Sequence, residues 1–308
     1  MTNSSAMTAL QTLRTVTANL AATQNRISTG YRVATASDNS AYWSIATTMR
    51  SDNEALSAVS DALGLGAATV DTMYTALTSV VGDSKGGLTA LKAKLTAARE
   101  PGVDRAKIQA EIKNILSDMQ NTADLAVFNG ENWLSVDSSA TGYNATKSVV
   151  SSFSRVAGTV TINTIDIDID AIKLYDPAGG TAAGVMDKDR TVGATTASVA
   201  SIDIAALTDS ATDLTTLEEY IGIVQAALDD VTQASADLGA VKTRIDSNSN
   251  FIKSLRDAID RGVGQLVDAD MNAESTRLQA LQVQQQLGIQ ALSIANAGSQ
   301  SILSLFRG

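Results

Sequence analysis

The 308-residue chain contains no cysteine and no histidine. Without cysteine it can form neither a disulfide nor a thiolate metal site. Without histidine it lacks the commonest general base near neutral pH and the commonest metal ligand. Aromatic residues make up only 4% of the chain, against 44% hydrophobic residues overall. A core must therefore be built from Ala, Leu, Ile and Val, small side chains that suit close helix–helix seams. No cluster of basic residues relieves the net charge of −10, which argues against a nucleic-acid partner. No apolar run is long enough to cross a bilayer, and there is no cysteine to carry a lipid anchor. The first residues show no signal-peptide pattern, because Thr and Asn recur and Arg14 interrupts the apolar stretch.

What the chain does have is a seven-residue repeat. Leu217, Val224, Val231, Leu238, Ile245, Ile252, Ile259 and Leu266 are evenly spaced, and Ala273, Ala280, Leu287 and Ile294 continue the count. Such a repeat keeps one apolar seam on one side of a helix, and that seam needs a partner. The front of the chain supplies one. Tyr42, Met49, Leu56, Leu63, Val70 and Leu77 are also seven apart, with Ile45, Val59, Met73 and Val80 at the second seam position. The expected fold is mainly α: a long antiparallel helical coiled-coil rod made from both termini, with a small β-rich central insertion.

Along the chain, residues 4–28 read as a first helix, with Ala6, Leu13, Leu20 and Ile27 on one stripe and Ala9 and Val16 on its offset. Gly30 suits its C-terminal cap. A second helix is expected from about Asn39 to about Thr96, with a break at Gly82 or at Gly86-Gly87. Pro101-Gly102 marks a turn. Ile108, Ile112, Ile115 and Met119 define a further amphipathic helix, closed by Asn129-Gly130. From about 140 to 214 the composition shifts to Thr, Val, Ser, Gly and Asp. Thr159–Asn163 and Ile165–Asp170 alternate with strand periodicity, and Pro177–Gly180 is a turn. Thr215 and Glu218 resemble a capping box that opens the long C-terminal heptad helix. Asp166, Asp168 and Asp170 alternate on one strand face and read as a solvated edge rather than a Ca²⁺ loop. Gly64, Gly66, Gly262 and Gly264 interrupt heptad helices, where they suggest close helix approach or a bend rather than phosphate binding.

The two ends resemble the bacterial flagellin family. Arg26-Ile-Ser-Thr-Gly-Tyr-Arg-Val33, the Ser37-Asp-Asn-Ser-Ala41 stretch, Ile108–Ile112, Phe128-Asn-Gly130, Asp268-Ala-Asp270, Glu274, Gln284–Gln286, Gly288, Ala295-Asn-Ala297 and Ile302-Leu-Ser-Leu-Phe-Arg307 match its signatures at its spacing. The matches cover roughly residues 3–135 and 215–308. Trp43–Arg50 looks like the α-proteobacterial, rhizobial-type branch.

The resemblance implies a structural subunit, not an enzyme, that polymerises into the extracellular flagellar filament for swimming motility. The alternative is a hook–filament junction (hook-associated) protein, which shares the terminal helices. It implies three domains: an inner coiled-coil core of 1–38 and 267–308, a helical rod domain of 39–140 and 215–266, and a variable outer domain of 141–214. It implies export without a cleaved signal peptide. The implied partners are other copies of the chain, other flagellins, an export chaperone, and cap and hook-associated proteins, with no nucleic acid, no membrane and no cofactor or metal. Leu13, Val16, Leu20, Ile27, Leu278, Leu281, Leu292, Ile302 and Leu305 are expected to make core subunit contacts. Arg26, Arg32, Asp38 and Arg50 fall where the family makes polar contacts and are expected to set register. Ala93, Lys94 and Leu95 stand where many flagellins present an Arg-Glu-Leu pattern to an innate-immune receptor, so recognition by that receptor is not expected. Deletion of 145–210 is expected to be tolerated for assembly, because the heptads lie outside it.

Overall fold

The computed structural model describes residues 4–83, 85–156, 159–180 and 183–305, and the side chains of all of these except 156 and 298–305. The chain is mainly helical. Its helices are α1 (Ser4–Thr29), α2 (Ser40–Val81), α3 (Gly87–Ala97), α4 (Arg105–Leu125), α5 (Ala211–Val267) and α6 (Met271–Leu305). Between α4 and α5 lie β1 (Val127–Phe128), β2 (Glu131–Asn132), β3 (Thr146–Val156), β4 (Thr159–Asp168), β5 (Arg190–Val192) and β6 (Thr195–Ala197). Consecutive strands pair antiparallel into three two-stranded sheets. The chain divides into two compact units, Met1–Glu54 with Leu255–Gly308, and Ala55–Ser254.

In the first unit α1 and α6 pair along a heptad seam. Ala6, Ala9, Leu13, Val16, Leu20, Thr23 and Ile27 are the covered residues of α1; Glu274, Leu278, Leu281, Gln285, Gly288, Leu292 and Ala295 are those of α6. Both sets step by three and four, the spacing that holds one face toward a partner helix. Arg26 meets Glu274, and Leu13 meets Gly288, so the two helices run antiparallel. Gly288 is small for a reason: a Cβ there would lie 3.1 Å from Leu13 Cδ1. Beside this pair, Val33, Ala46, Val263 and Val267 form a buried cluster, with Met49, Ile259 and Leu266 packed against it.

The repeat is not continuous through the last third of the chain. Leu217, Val224, Val231, Leu238, Ile245 and Ile252 are buried as the spacing requires. Ala273, Ala280, Leu287 and Ile294 face solvent instead, with Ile294 73% exposed. The cause is the interruption between α5 and α6. Asp268 bridges to Tyr31, the Ala269 N–H donates to Gly30 O at 2.9 Å, and Asp270 caps α6 by accepting from the Asn272 and Ala273 N–H groups. A helix that starts afresh starts a new phase. On α2 the seam holds from Leu56 to Val80, but Tyr42 and Ile45 are 40% and 48% exposed.

In the second unit α2 and α5 run antiparallel: Lys242 pairs with Asp71 at 2.5 Å, and Tyr74 lies 3.6 Å from where a Cβ on Gly239 would sit. Gly82, at φ +70°, ends α2, and α3 begins at Gly87. The stretch from about Asn39 to about Thr96 is therefore two helices, divided where a break at Gly82 or Gly86-Gly87 is expected. Ile108, Ile112, Ile115 and Met119 all face inward on α4, whose N-terminus is capped by Asp104. Asn129 and Gly130, both at positive φ, make the tight turn between β1 and β2 that an Asn-Gly pair favours.

The β-rich segment is tied to the helices by polar side chains. Gln109 of α4 donates to Ile202 O and accepts from the Ile204 N–H. The buried Arg105 reaches Ala98 O, Leu207 O and Asp209. Arg190 pairs with Asp230 of α5 at 2.7 Å. Gly66 of α2 lets β3 approach: a Cβ there would collide with the Val149 side chain. Lys173 is held by Asp170 at 2.7 Å and by Asp176 at 2.9 Å. Asp176 is fully covered and also accepts from the Ser138 and Ala178 N–H groups. α5 starts four residues before the predicted capping box. Ser210 accepts from the Asp213 N–H, while the Thr215 hydroxyl bonds back to Ala211 O inside the helix. Asp213 in turn accepts from Thr208, closing the turn that precedes the helix.

Candidate subunit interface

The hydrophobic residues expected to make subunit contacts lie, first of all, on the seam inside the chain. Leu13, Val16, Leu20 and Ile27 of α1, and Leu278 and Leu292 of α6, are partly covered, and Leu281 is buried. The side chains of Ile302 and Leu305 lie outside the described residues. A two-helix seam covers one stripe of each helix and leaves the opposite stripes to solvent. On α1 that surface includes Met7 and Leu10, 61% and 39% exposed; on α6 it includes Val283, Leu287, Ile289 and Ile294. Scattered exposed apolar residues are ordinary. Six on two paired helices make a surface available to a partner. The spacing of Leu287 and Ile294 was visible in the sequence; that they point away from α1 was not, because the phase reset at Asp268–Asp270 cannot be read from spacing alone.

The four polar residues expected to set register are brought together around the connector between α1 and α2. Arg26 Nη1 lies 3.1 Å from Glu274 Oε1, across the α1–α6 seam. Arg32 Nη2 donates to Leu266 O at 3.0 Å and Gln265 O at 3.3 Å, and the Arg32 and Val33 N–H groups both reach Val267 O. Residues 32 and 33 thus satisfy the last carbonyls of α5, the groups a helix end leaves without partners, and they place a cation at the negative end of its dipole. Asp38 accepts from the Thr35 N–H at 2.9 Å, the Thr35 hydroxyl at 3.0 Å and the Ala34 N–H at 3.1 Å. Those hydrogen bonds hold its carboxyl below the usual range, against a small opposing effect of desolvation. Arg50 stacks on the Tyr31 ring, 4.8 Å from its centroid. Asn39 caps α2 through the Tyr42 N–H.

Glu274 was not among the residues expected to set register. It is only 9% exposed, and its Oε2 accepts no hydrogen bond. A buried carboxylate at a seam position fixes which residue of the other helix can lie opposite, since among the described residues Arg26 is the cation that satisfies it. The signal was present in the sequence: Glu274 is the last acidic residue in the chain, and it falls on the stripe of Leu278 and Leu281. A groove of about 910 Å³ opens beside it, with Arg32, Arg261, Asp260, Asp268 and Asp270 in its wall. Among the described residues no three carboxylates gather to hold a metal ion, and no helix is long and apolar enough to cross a membrane.

Comparison with known proteins agrees with this layout. Residues 1–139 match the family model of the bacterial flagellin N-terminal helical region, and residues 221–306 match that of the C-terminal helical region. The unmatched stretch contains β3 to β6. Flagellin C of Rhizobium meliloti strain 1021 is 49% identical over 326 residues, covering all of this chain and 98% of that protein. The flagellin of Brucella melitensis biotype 1 is 45% identical over 309 residues, covering all of this chain and 99% of that protein. Flagellin A of Rhizobium meliloti is 42% identical over 399 residues, again with all of this chain and 99% of the relative covered.

Proposed function

The chain belongs to the bacterial flagellin family, and from that premise we propose how its residues serve the filament. It is a structural subunit that polymerises into the extracellular flagellar filament, the organelle of swimming motility. The uncovered stripes of α1 and α6 meet the same helices of neighbouring copies and, with the flanks of Leu13, Val16, Leu20, Ile27, Leu278, Leu281 and Leu292, make the inner wall of a tube. Ile302 and Leu305 extend that contact. The observation that carries this is the apolar surface left open on an already paired helical hairpin: Met7, Leu10, Val283, Leu287, Ile289 and Ile294.

Arg26, Arg32, Asp38 and Arg50 act one step back from the contact. Each fixes the connector, or the helix end beside it, and so sets the angle and register at which the inner helices are presented. We assign 1–38 and 267–308 to the inner core, 39–140 and 215–266 to the surrounding helical layer, and 141–214 to the outer surface. The last assignment is supported by the gap between the two family matches, 140–220, which encloses it. Export proceeds without a cleaved signal peptide, and the partners along that route are the export chaperone and the cap and hook-associated proteins. Rhizobium meliloti has flagellins A, B, C and D among the relatives, which supports co-assembly of more than one flagellin. The fully covered relatives carry the name flagellin, and no feature favours a hook-associated role.

Removal of 288–308 tests the proposal. It deletes Ile289 and Ile294 from the open stripe and Leu292 from the seam. Secretion is expected to continue while electron microscopy finds no filaments. Filaments of normal length from the truncated chain would remove the inner helices from the assembly contact.

A further inference from the structure

Asn129 is the one asparagine in the chain that is followed by glycine. An asparagine can lose its side-chain amide to its own backbone, when the nitrogen of the next residue attacks the side-chain carbonyl carbon and closes a five-membered ring. A Cβ on that next residue shields the nitrogen, and Gly130 has none. Both residues are exposed. Among the described residues neither the Asn129 side chain nor the Gly130 N–H has a hydrogen-bond partner. Asn132, three residues on, is the contrast. Its Nδ2 donates to Ala123 O at 2.7 Å, its Oδ1 accepts from the Leu134 and Ser135 N–H groups, and the bulky Trp133 follows it.

The turn decides when the two groups of Asn129 and Gly130 can meet. Their φ angles are 52° and 80°, and they join the paired residues Phe128 and Glu131. A two-residue hairpin loop with both φ positive is a type I′ turn, the mirror image of type I, so its first central ψ is about +30°. At that ψ the Asn129 Cβ stands nearly opposite the Gly130 nitrogen across the Cα–C bond. Ring closure needs them on the same side. The closed hairpin therefore holds the reacting atoms apart, and opening it lets them approach. Two residue pairs make a weak clamp.

We propose that Asn129 is a site of spontaneous deamidation, gated by the opening of the β1–β2 hairpin. The Gly130 nitrogen bonds to Asn129 Cγ. The side-chain amide nitrogen leaves as ammonia, taking with it the hydrogen that Gly130 loses, and a cyclic imide remains. Water then opens the imide at either carbonyl. One opening gives aspartate; the other gives isoaspartate, in which the backbone runs through the former side chain. Both add one negative charge. Only isoaspartate adds a carbon to the backbone, and in a two-residue turn that carbon separates Phe128 from Glu131. Glu131 holds Trp133 Nε1 at 3.0 Å and Lys147 of β3 at 2.9 Å. The isoaspartyl chain loses that anchorage. This chemistry goes beyond filament assembly and does not depend on it.

Peptide mapping by mass spectrometry tests the site on the unaltered chain, incubated at mildly alkaline pH both folded and in urea. Asn129 should convert ahead of every other asparagine, with a mass gain of one dalton and an isoaspartyl product that a protein isoaspartyl methyltransferase labels. Folded subunits should convert about tenfold more slowly than the chain in urea, the protection expected of a weakly held surface hairpin. An Asn129 that keeps its amide in urea, or another asparagine that outruns it, would overturn the site. Equal rates with and without urea would overturn the gating.

Asn129→Gly supplies the control, because Gly-Gly also suits a type I′ turn and has no amide to lose. Trp133 is 3% exposed. Acrylamide should spare it throughout in the variant and reach it in the parent as isoaspartate accumulates. A parent rich in isoaspartate with Trp133 still spared, or a variant that loses the shelter as fast as the parent, would overturn the loss of anchorage.

Discussion

Gly64 and Gly66 stand two residues apart on α2, and the same substitution should have opposite effects at the two sites. Glycine inside a helix is less favourable than alanine by about 1 kcal/mol, from the backbone freedom lost on folding. At Gly64 an added methyl meets nothing within 4 Å, so Gly64→Ala should realise most of that gain. At Gly66 the methyl would fall inside the Val149 side chain. Val149 is buried, sits on β3 where it pairs with Ile165, and is stiff about its first side-chain torsion. Forcing extra volume into such a contact costs about 1–3 kcal/mol. Set against the helix gain, Gly66→Ala should be destabilising by up to about 2 kcal/mol. The two variants should therefore differ by about 1–3 kcal/mol, with Gly64→Ala above the parent chain and Gly66→Ala below it. Urea unfolding of depolymerised subunits, followed by far-ultraviolet circular dichroism, measures the difference as a shift in midpoint at constant slope. If both alanines raise the midpoint equally, Gly66 is not a close-approach site and the packing of β3 on α2 is wrong.

Other outcomes follow from single contacts. Arg32→Ala removes the side-chain cap on α5 and leaves the two backbone caps; about 1 kcal/mol of stability should go, and filaments should change helical form. Filaments of unchanged shape, seen by electron microscopy, would remove Arg32 from register setting. At Asp176, burial alone would raise the carboxyl, but hydrogen bonds from Lys173, Ser138 and Ala178 outweigh it and bring it down to about 2. A carboxyl whose folded value lies below its unfolded value stabilises fully above the unfolded value and loses that contribution as the pH falls toward the folded one. Acid titration should accordingly show a loss of about 2 kcal/mol between about pH 4 and pH 2. Asp176→Asn should flatten that loss while lowering stability at neutral pH, because Lys173 then lacks its covered partner. Deletion of 145–210, expected to be tolerated for assembly, should nonetheless lower the cooperativity of unfolding. It strips Val149 from Gly66, Ile202 and Ile204 from Gln109, and Arg190 from Asp230. Thermal unfolding as sharp as that of the parent would show that the helices stand without it.

What the sequence made legible was whatever depends on period alone. The stripe Leu217–Ile252, the inward face of α4 and the pairing of the two termini all follow from residues spaced three, four or seven apart, and all are present. What it hid was phase and partnership. A three-residue interruption at Asp268–Asp270 leaves the count of seven intact on paper, yet it turns Leu287 and Ile294 from the seam to the surface. β3 escaped notice because Thr146–Val156 carries a bulge between Val150 and Ser152, and a bulge breaks the alternation by which a strand is recognised. The same slip shows on β4. Ile165 and Ile167 point into the unit, while Val160 and Ile162, out of step by one residue, point to solvent. Period-two alternation allows this, since moving one residue exchanges the two faces of a strand. Arg26, Arg32, Asp38 and Arg50 surround one connector, but their partners are carbonyls, amide N–H groups, a hydroxyl, an aromatic ring and one buried carboxylate. Backbone acceptors have no signature in a sequence, so the cap that Arg32 places on α5 could be found only once the helix end and the connector had been brought side by side.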